Sequence, residues 1–168
     1  EYVDVDESAE KLIAAADKYF GGDLLSLCEV YFKTVSEVCE KTSPDIIGHF
    51  DLLTKFDRNN DIFNPKEERY KKAVLSALDE LLEAKQVIEV NTGAMSRGYK
   101  DSPYPDRWIL EEIKKRDGKV CRIPVIPMES SEIESRTPDS FGSRLAALAT
   151  VTGSARPRES TSSMCWIE

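Results

Sequence analysis

The chain has 168 residues, 40% of them hydrophobic, with 31 acidic against 23 basic side chains and a formal net charge of -8. That length supports one domain of ordinary size or part of a larger one. The acidic balance leaves no electrostatic footprint for nucleic acid or an anionic membrane, and no apolar run approaches the roughly 20 residues of a membrane span.

The opening EYVDVDESAE is acidic where a signal peptide would be basic and then apolar, so a soluble, cytoplasmic chain is expected. It opens without Met, which reads as a start inside a longer natural chain. Cys28, Cys39, Cys121 and Cys165 form no CxxC pair and read as thiols of a reducing compartment. Asp6 or Ser8 is expected to cap a first helix through about Tyr19, with Leu12, Ile13, Ala16 and Tyr19 or Phe20 on one face. Gly21 and Gly22 end it. Asp23 starts a second helix on Leu24, Leu27, Cys28, Tyr31, Phe32, Val35, Val38 and Cys39, stopped by Ser43 and Pro44.

Residues 45–48 read as a short buried strand leading into His49, the only histidine. After a polar loop, 67–85 is the clearest helix, burying Tyr70, Val74, Ala77, Leu78 and Leu81. A strand follows at 87–90, then a loop from Asn91 to Tyr104, a helix from Pro105 to Lys115 and a strand opening at 119–121. Strands alternating with helices predict an α/β fold of parallel units, with functional groups at the carboxyl ends of the strands.

Composition breaks after Cys121. Residues 1–121 hold all 13 lysines, all six tyrosines and all four asparagines, whereas 122–168 carry five of the ten arginines, four of the eight prolines and nine of the 16 serines. Two units are therefore expected: 1–121 folded, and 122–168 mostly disordered. Within the tail, 145–151 is apolar enough for a stray helix turn or an aggregation-prone patch.

Several residues bear on chemistry. His49, at a strand end with Asp51 two residues on, reads either as a divalent-metal ligand or as a hydrogen-bonded structural imidazole. Glu89, inside an apolar strand, belongs to a polar site or to a solvent-facing edge. The loop Asn91-Thr92-Gly93-Ala94-Met95-Ser96-Arg97-Gly98 offers backbone amides and a guanidinium suited to phosphate oxygens, or is a surface loop of incidental polarity. Lys55 could add a second cation. The run from Asp57 to Asp61 hints at a calcium loop, but it lacks the required Gly and terminal Glu and is rejected.

Together, GHFDLLTKFDRNNDIF and EVNTGAMSRGYKDSPYP resemble the histidinol-phosphatase branch of the PHP (polymerase and histidinol phosphatase) superfamily, over about residues 3–121. The resemblance implies a distorted (β/α) barrel, here partial and incomplete at both ends, and a cluster of divalent metal ions of Mn, Zn or Fe type. It implies hydrolysis of the phosphomonoester L-histidinol phosphate to L-histidinol and phosphate in histidine biosynthesis, with metals polarising the phosphoryl oxygens. It also makes His49 a metal ligand and places Lys55 and Arg97 as substrate phosphate contacts. Nucleic-acid and membrane partners are not expected.

This chain departs from the family pattern. The amino-terminal HxH motif and the next His and Glu ligands are missing, and no SSDxH sequence follows Cys121. One allowed coding of residues 123–130, ATT CCA GTG ATT CCC ATG GAA AGC, read from the third base of the first codon gives Ser-Ser-Asp-Ser-His-Gly-Lys. The expectation is that 122–168 are an out-of-frame translation and that the chain, keeping only one clear family ligand, is inactive or nearly so. The alternatives are a non-catalytic interaction module using the helices at 23–42 and 67–85, or a PHP phosphoesterase acting on another phosphomonoester.

Overall fold

The structure, a computed structural model, describes residues 2–98, 100–122, 145–147 and 150–152. Strand β1 is Tyr2–Asp4, followed by helices α1 (Ala9–Phe20), α2 (Leu24–Ser36) and α3 (Val38–Thr42). Strand β2 (Ile46–Gly48) leads through a 3-10 turn at Leu52–Thr54 to helix α4 (Glu68–Glu83) and strand β3 (Val87–Glu89). Then come a helical turn α5 (Gly93–Ser96), helix α6 (Arg107–Lys115) and strand β4 (Lys119–Cys121). Strands β5 (Leu145–Ala147) and β6 (Thr150–Thr152) complete the described elements.

The helices follow their caps and stripes. Ser8 accepts a bond from the Lys11 amide to open α1, and Gly21, at φ 61, closes it with its own amide on Ala16 O. That left-handed closure is one a β-carbon would oppose. Only Leu12 and Ala16, one turn apart, are buried on α1, while Ile13 and Tyr19 are exposed. Phe20, partly buried, also packs against the core, so of the expected face only Ile13 and Tyr19 are left outside.

Asp23 caps α2 through the Leu25 amide and the Ser26 hydroxyl. The expected second helix is in fact two, since the backbone turns at Glu37 between α2 and α3. Helix α4 buries Tyr70, Val74, Ala77, Leu78 and Leu81, as its spacing predicts, against α2. Between them lies an aromatic core: the Phe32 ring is 5.4 Å from Phe50 and 6.1 Å from Tyr70, and Phe63 stacks on Tyr70 at 5.9 Å. Gly118 lets the turn after α6 pass close to α4, because a Cβ there would meet Ile113 Cγ2 at 2.7 Å and Leu82 Cδ2 at 2.8 Å.

Four parallel strands form one sheet in the order β4-β3-β2-β5, and β1 pairs antiparallel with β6. Ile46 and Ile47 face Val87 and Ile88 across β2 and β3, and Glu89 faces Cys121 across β3 and β4. The α/β expectation holds. Among the described residues the sheet is open, with β4 and β5 at its edges.

Two strand segments fall inside the tail expected to be mostly disordered, overlapping the 145–151 stretch read as a stray helix turn or an aggregation-prone patch. The edges of β2 and β1 offer unpaired backbone groups, and a short apolar run in extended form satisfies them. Residues 123–130, where the reading frame is inferred to shift, lie outside the described residues. No helix among the described residues is long and apolar enough to cross a membrane.

Candidate functional site

Strand β2 ends at Gly48, and His49 takes a left-handed backbone at φ 50. Such a conformation is uncommon for a residue with a side chain, and the surrounding structure must hold it. Two groups do so. The buried Tyr31 hydroxyl donates to the carbonyls of His49 and Phe50 at 3.4 and 3.3 Å, and the His49 amide donates to Glu89 Oε2 at 3.3 Å. Glu89 closes the neighbouring strand β3, so its carboxylate ties together the carboxyl ends of two adjacent parallel strands.

That carboxylate is buried, which is costly without partners. Its Oε2 lies 3.7 Å from His49 Nδ1, beyond hydrogen-bond range, and Nδ1 has no hydrogen-bond partner. Asn91 Nδ2 completes the cluster, 3.4 Å from Glu89 Oε1 and 3.1 Å from His49 Nε2. Asn91 is itself anchored: its backbone exchanges two bonds with Tyr104, at 2.7 and 2.9 Å, and its Oδ1 accepts the Gly93 amide at 2.8 Å.

Tyr104 gathers the basic groups. Its ring centroid is 6.5 Å from that of His49, and Lys100 Nζ sits 4.4 Å over it. Burial, reinforced by the charges of Asp51 and Asp6 and opposed by Arg97, pushes the Tyr104 phenol up to about 12. Lys100 is buried and donates to Thr54 Oγ1 at 2.8 Å, joining the 91–104 loop to the turn after β2. The exposed Arg97 ends α5 with its guanidinium folded back over Gly93, 3.6 Å from where a Cβ would stand. Lys55 is engaged elsewhere, holding the carboxylate and the carbonyl of Asp6.

Of the residues singled out in the sequence, His49 and Glu89 are brought together, and the solvent-facing alternative for Glu89 is excluded by its burial. Arg97 shares the Tyr104 surroundings, and Lys55 spans to Asp6. Asp51 differs from expectation. An extended chain would aim it along with His49, but the left-handed turn at His49 breaks that alternation. Asp51 is instead fully buried, with Oδ2 accepting the Asp106 amide at 2.9 Å and Oδ1 unpartnered. Burial, resisted by Lys100 and the Asp106 amide, pushes its carboxyl up to about 6.

Asp57, in the rejected calcium loop, is a structural anchor whose carboxylate takes the amides of Ile62 and Phe63 at 3.0 and 2.6 Å. Lys100 and Tyr104 are cluster members that sequence reasoning passed over, and Asn91 entered it only as the first residue of the candidate phosphate loop.

Among the described residues, no group of three or more His, Cys, Asp and Glu side chains could hold a metal ion. His49 and Glu89 are the two donor-type side chains that come together at the strand ends. Metal–nitrogen and metal–oxygen bonds of about 2.1 Å in tetrahedral geometry set donors roughly 3.4 Å apart. His49 Nδ1, which has no hydrogen-bond partner, and Glu89 Oε2, which accepts the His49 amide, are near that spacing at 3.7 Å.

Compared with protein-family models, curated proteins and solved structures, the chain shows no match. Its resemblance to PHP phosphatases therefore rests on the two sequence segments alone.

Proposed function

We propose that residues 1–121 carry part of the active-site rim of a metal-dependent phosphomonoesterase of the PHP type, with a partial (β/α)-barrel fold. The parent reaction of this reading is hydrolysis of L-histidinol phosphate to L-histidinol and phosphate. The observation that supports it is the meeting of His49, Glu89 and Asn91 at the carboxyl ends of adjacent parallel strands, where folds of this class place their chemistry.

In this reading His49 and Glu89 hold a divalent cation, which when bound would polarise phosphoryl oxygens and lower the pKa of water. Tyr31 and the Glu89 carboxylate fix the His49 backbone so that the ring is presented at the strand end. Arg97 and Lys100, gathered around Tyr104, supply positive charge for a phosphate oxygen array, and Lys55 supplies more where Asp6 releases it. With two carboxylate or imidazole donors in the cluster, we expect turnover by this chain to stay at or near background.

The test is calorimetric titration of the full chain with Mn2+ or Zn2+, beside phosphate release from L-histidinol phosphate in the loaded protein. Single-site binding that disappears in His49→Ala and weakens at least tenfold in Glu89→Gln supports the reading. Binding untouched by His49→Ala refutes the metal assignment. Turnover at an ordinary enzyme rate refutes the expectation of inactivity.

A further inference from the structure

Asn91 has an orientation that can be assigned from its partners. A side-chain amide is ambiguous until something distinguishes its oxygen from its nitrogen. Here a backbone amide does so. The Gly93 amide, which can only donate, lies 2.8 Å from one terminal atom, which must be Oδ1. The other terminal atom is therefore Nδ2, and it lies 3.4 Å from Glu89 Oε1.

The nitrogen that approaches His49 Nε2 at 3.1 Å is therefore a donor. Nε2 can take that bond only as a bare lone pair, so the ring hydrogen sits on Nδ1, toward Glu89 Oε2. This arrangement opposes a cation at either ring nitrogen. Ligation through Nε2 needs the lone pair that Asn91 occupies. Ligation through Nδ1, the nitrogen facing Glu89, moves the hydrogen to Nε2, where it would confront the Asn91 amide hydrogens.

We propose that Asn91 is a positioning residue that locks His49 in the Nδ1–H tautomer and competes with a divalent cation for the ring, so that loading His49 requires the Asn91 amide to withdraw. The proposal rests on the reading of His49 as a cation ligand. The lock is held in turn by Gly93 N and by the two backbone bonds to Tyr104.

The test exploits the single histidine. Ring-labelled full-length protein is examined by long-range proton–nitrogen correlation at about pH 8, where an unperturbed imidazole is neutral, and is then titrated with Zn2+ alone. The wild type is compared with Asn91→Ala, which removes the amide, and with Asn91→Asp. The aspartate keeps the acceptor for Gly93 and so preserves the loop if alanine does not, while offering Nε2 an acceptor in place of a donor.

The wild type is expected to show a bare Nε2 and a protonated Nδ1, and Asn91→Asp the reverse. Asn91→Ala should bind Zn2+ about tenfold more tightly than the wild type, the scale of one competing hydrogen bond, whereas Asn91→Asp, which adds a carboxylate donor of its own, is read for its tautomer alone. A protonated Nε2 in the wild type overturns the proposal, and so does equal or weaker Zn2+ binding in Asn91→Ala. The expected tautomers with no Zn2+ response at His49 in any of the three proteins overturn the metal reading, and with it the competition proposed here.

Discussion

Replacing Asp51 by asparagine removes a charge that the fold buries completely. The carboxyl is raised from 3.8 to about 6, first by burial, with Lys100 and the Asp106 amide pulling the other way and the Asp106 carboxylate adding to the rise. Between those two pH values the folded chain binds the proton more tightly than the unfolded chain does. Asp51 therefore leaves stability highest at low pH and takes it away as pH climbs through the window, after which its effect is constant. At about 1.4 kcal/mol for each pH unit, the gap between 3.8 and about 6 amounts to about 3 kcal/mol. That is a large share of the stability of an ordinary domain, about 5–15 kcal/mol. Asparagine keeps an oxygen for the Asp106 amide but does not ionise. Urea unfolding of metal-free wild type and Asp51→Asn, followed by far-UV circular dichroism from about pH 4 to about pH 7.5, measures the difference. The variant should gain about 3 kcal/mol on the wild type across that range. A difference that stays flat would show that Asp51 does not titrate in this window. One that grows in the opposite direction would show that attraction to Lys100 outweighs burial.

Three further outcomes follow from the packing. Asp57→Ala strips the Ile62 and Phe63 amides of their acceptor and should cost about 1–3 kcal/mol by urea unfolding. Gly118→Ala overfills the space beside Leu82 and Ile113 and should cost about 1–3 kcal/mol, less in a Leu82→Ala background, so a double-mutant cycle should show the two as non-additive. Arg69→Ala loses bonds to Asp23, Ser26 and Glu29, yet these lie on an exposed face, so the urea midpoint should hardly move.

Local periodicity made much of the fold legible. The stripe from Tyr70 to Leu81 needed only the geometry of one helix, and the two central strands, β2 and β3, stood out as apolar runs between helices. What periodicity does not carry is the identity of a distant partner. Strand β1 is three residues long and is defined by its pairing with β6, about 150 residues away in the chain, so neither segment signals itself locally. Glu89 was visible because a carboxylate in an apolar strand demands an explanation. Asn91's part in the cluster was not, since an asparagine after a strand is an ordinary turn residue. Its role exists only through His49 and Gly93, which the fold brings to it. Asp51 was misplaced because alternation was carried through His49, whose left-handed backbone interrupts it.

Paramagnetic mapping with Mn2+ tests the central claim most directly, since it reports where on the chain the cation sits. Substoichiometric Mn2+ added to isotopically labelled full-length protein should broaden the amide signals of Gly48, His49, Glu89 and Asn91 first, and His49→Ala should abolish that pattern. Broadening confined to surface carboxylates such as Glu29 or Asp79, or unchanged in His49→Ala, would contradict the account.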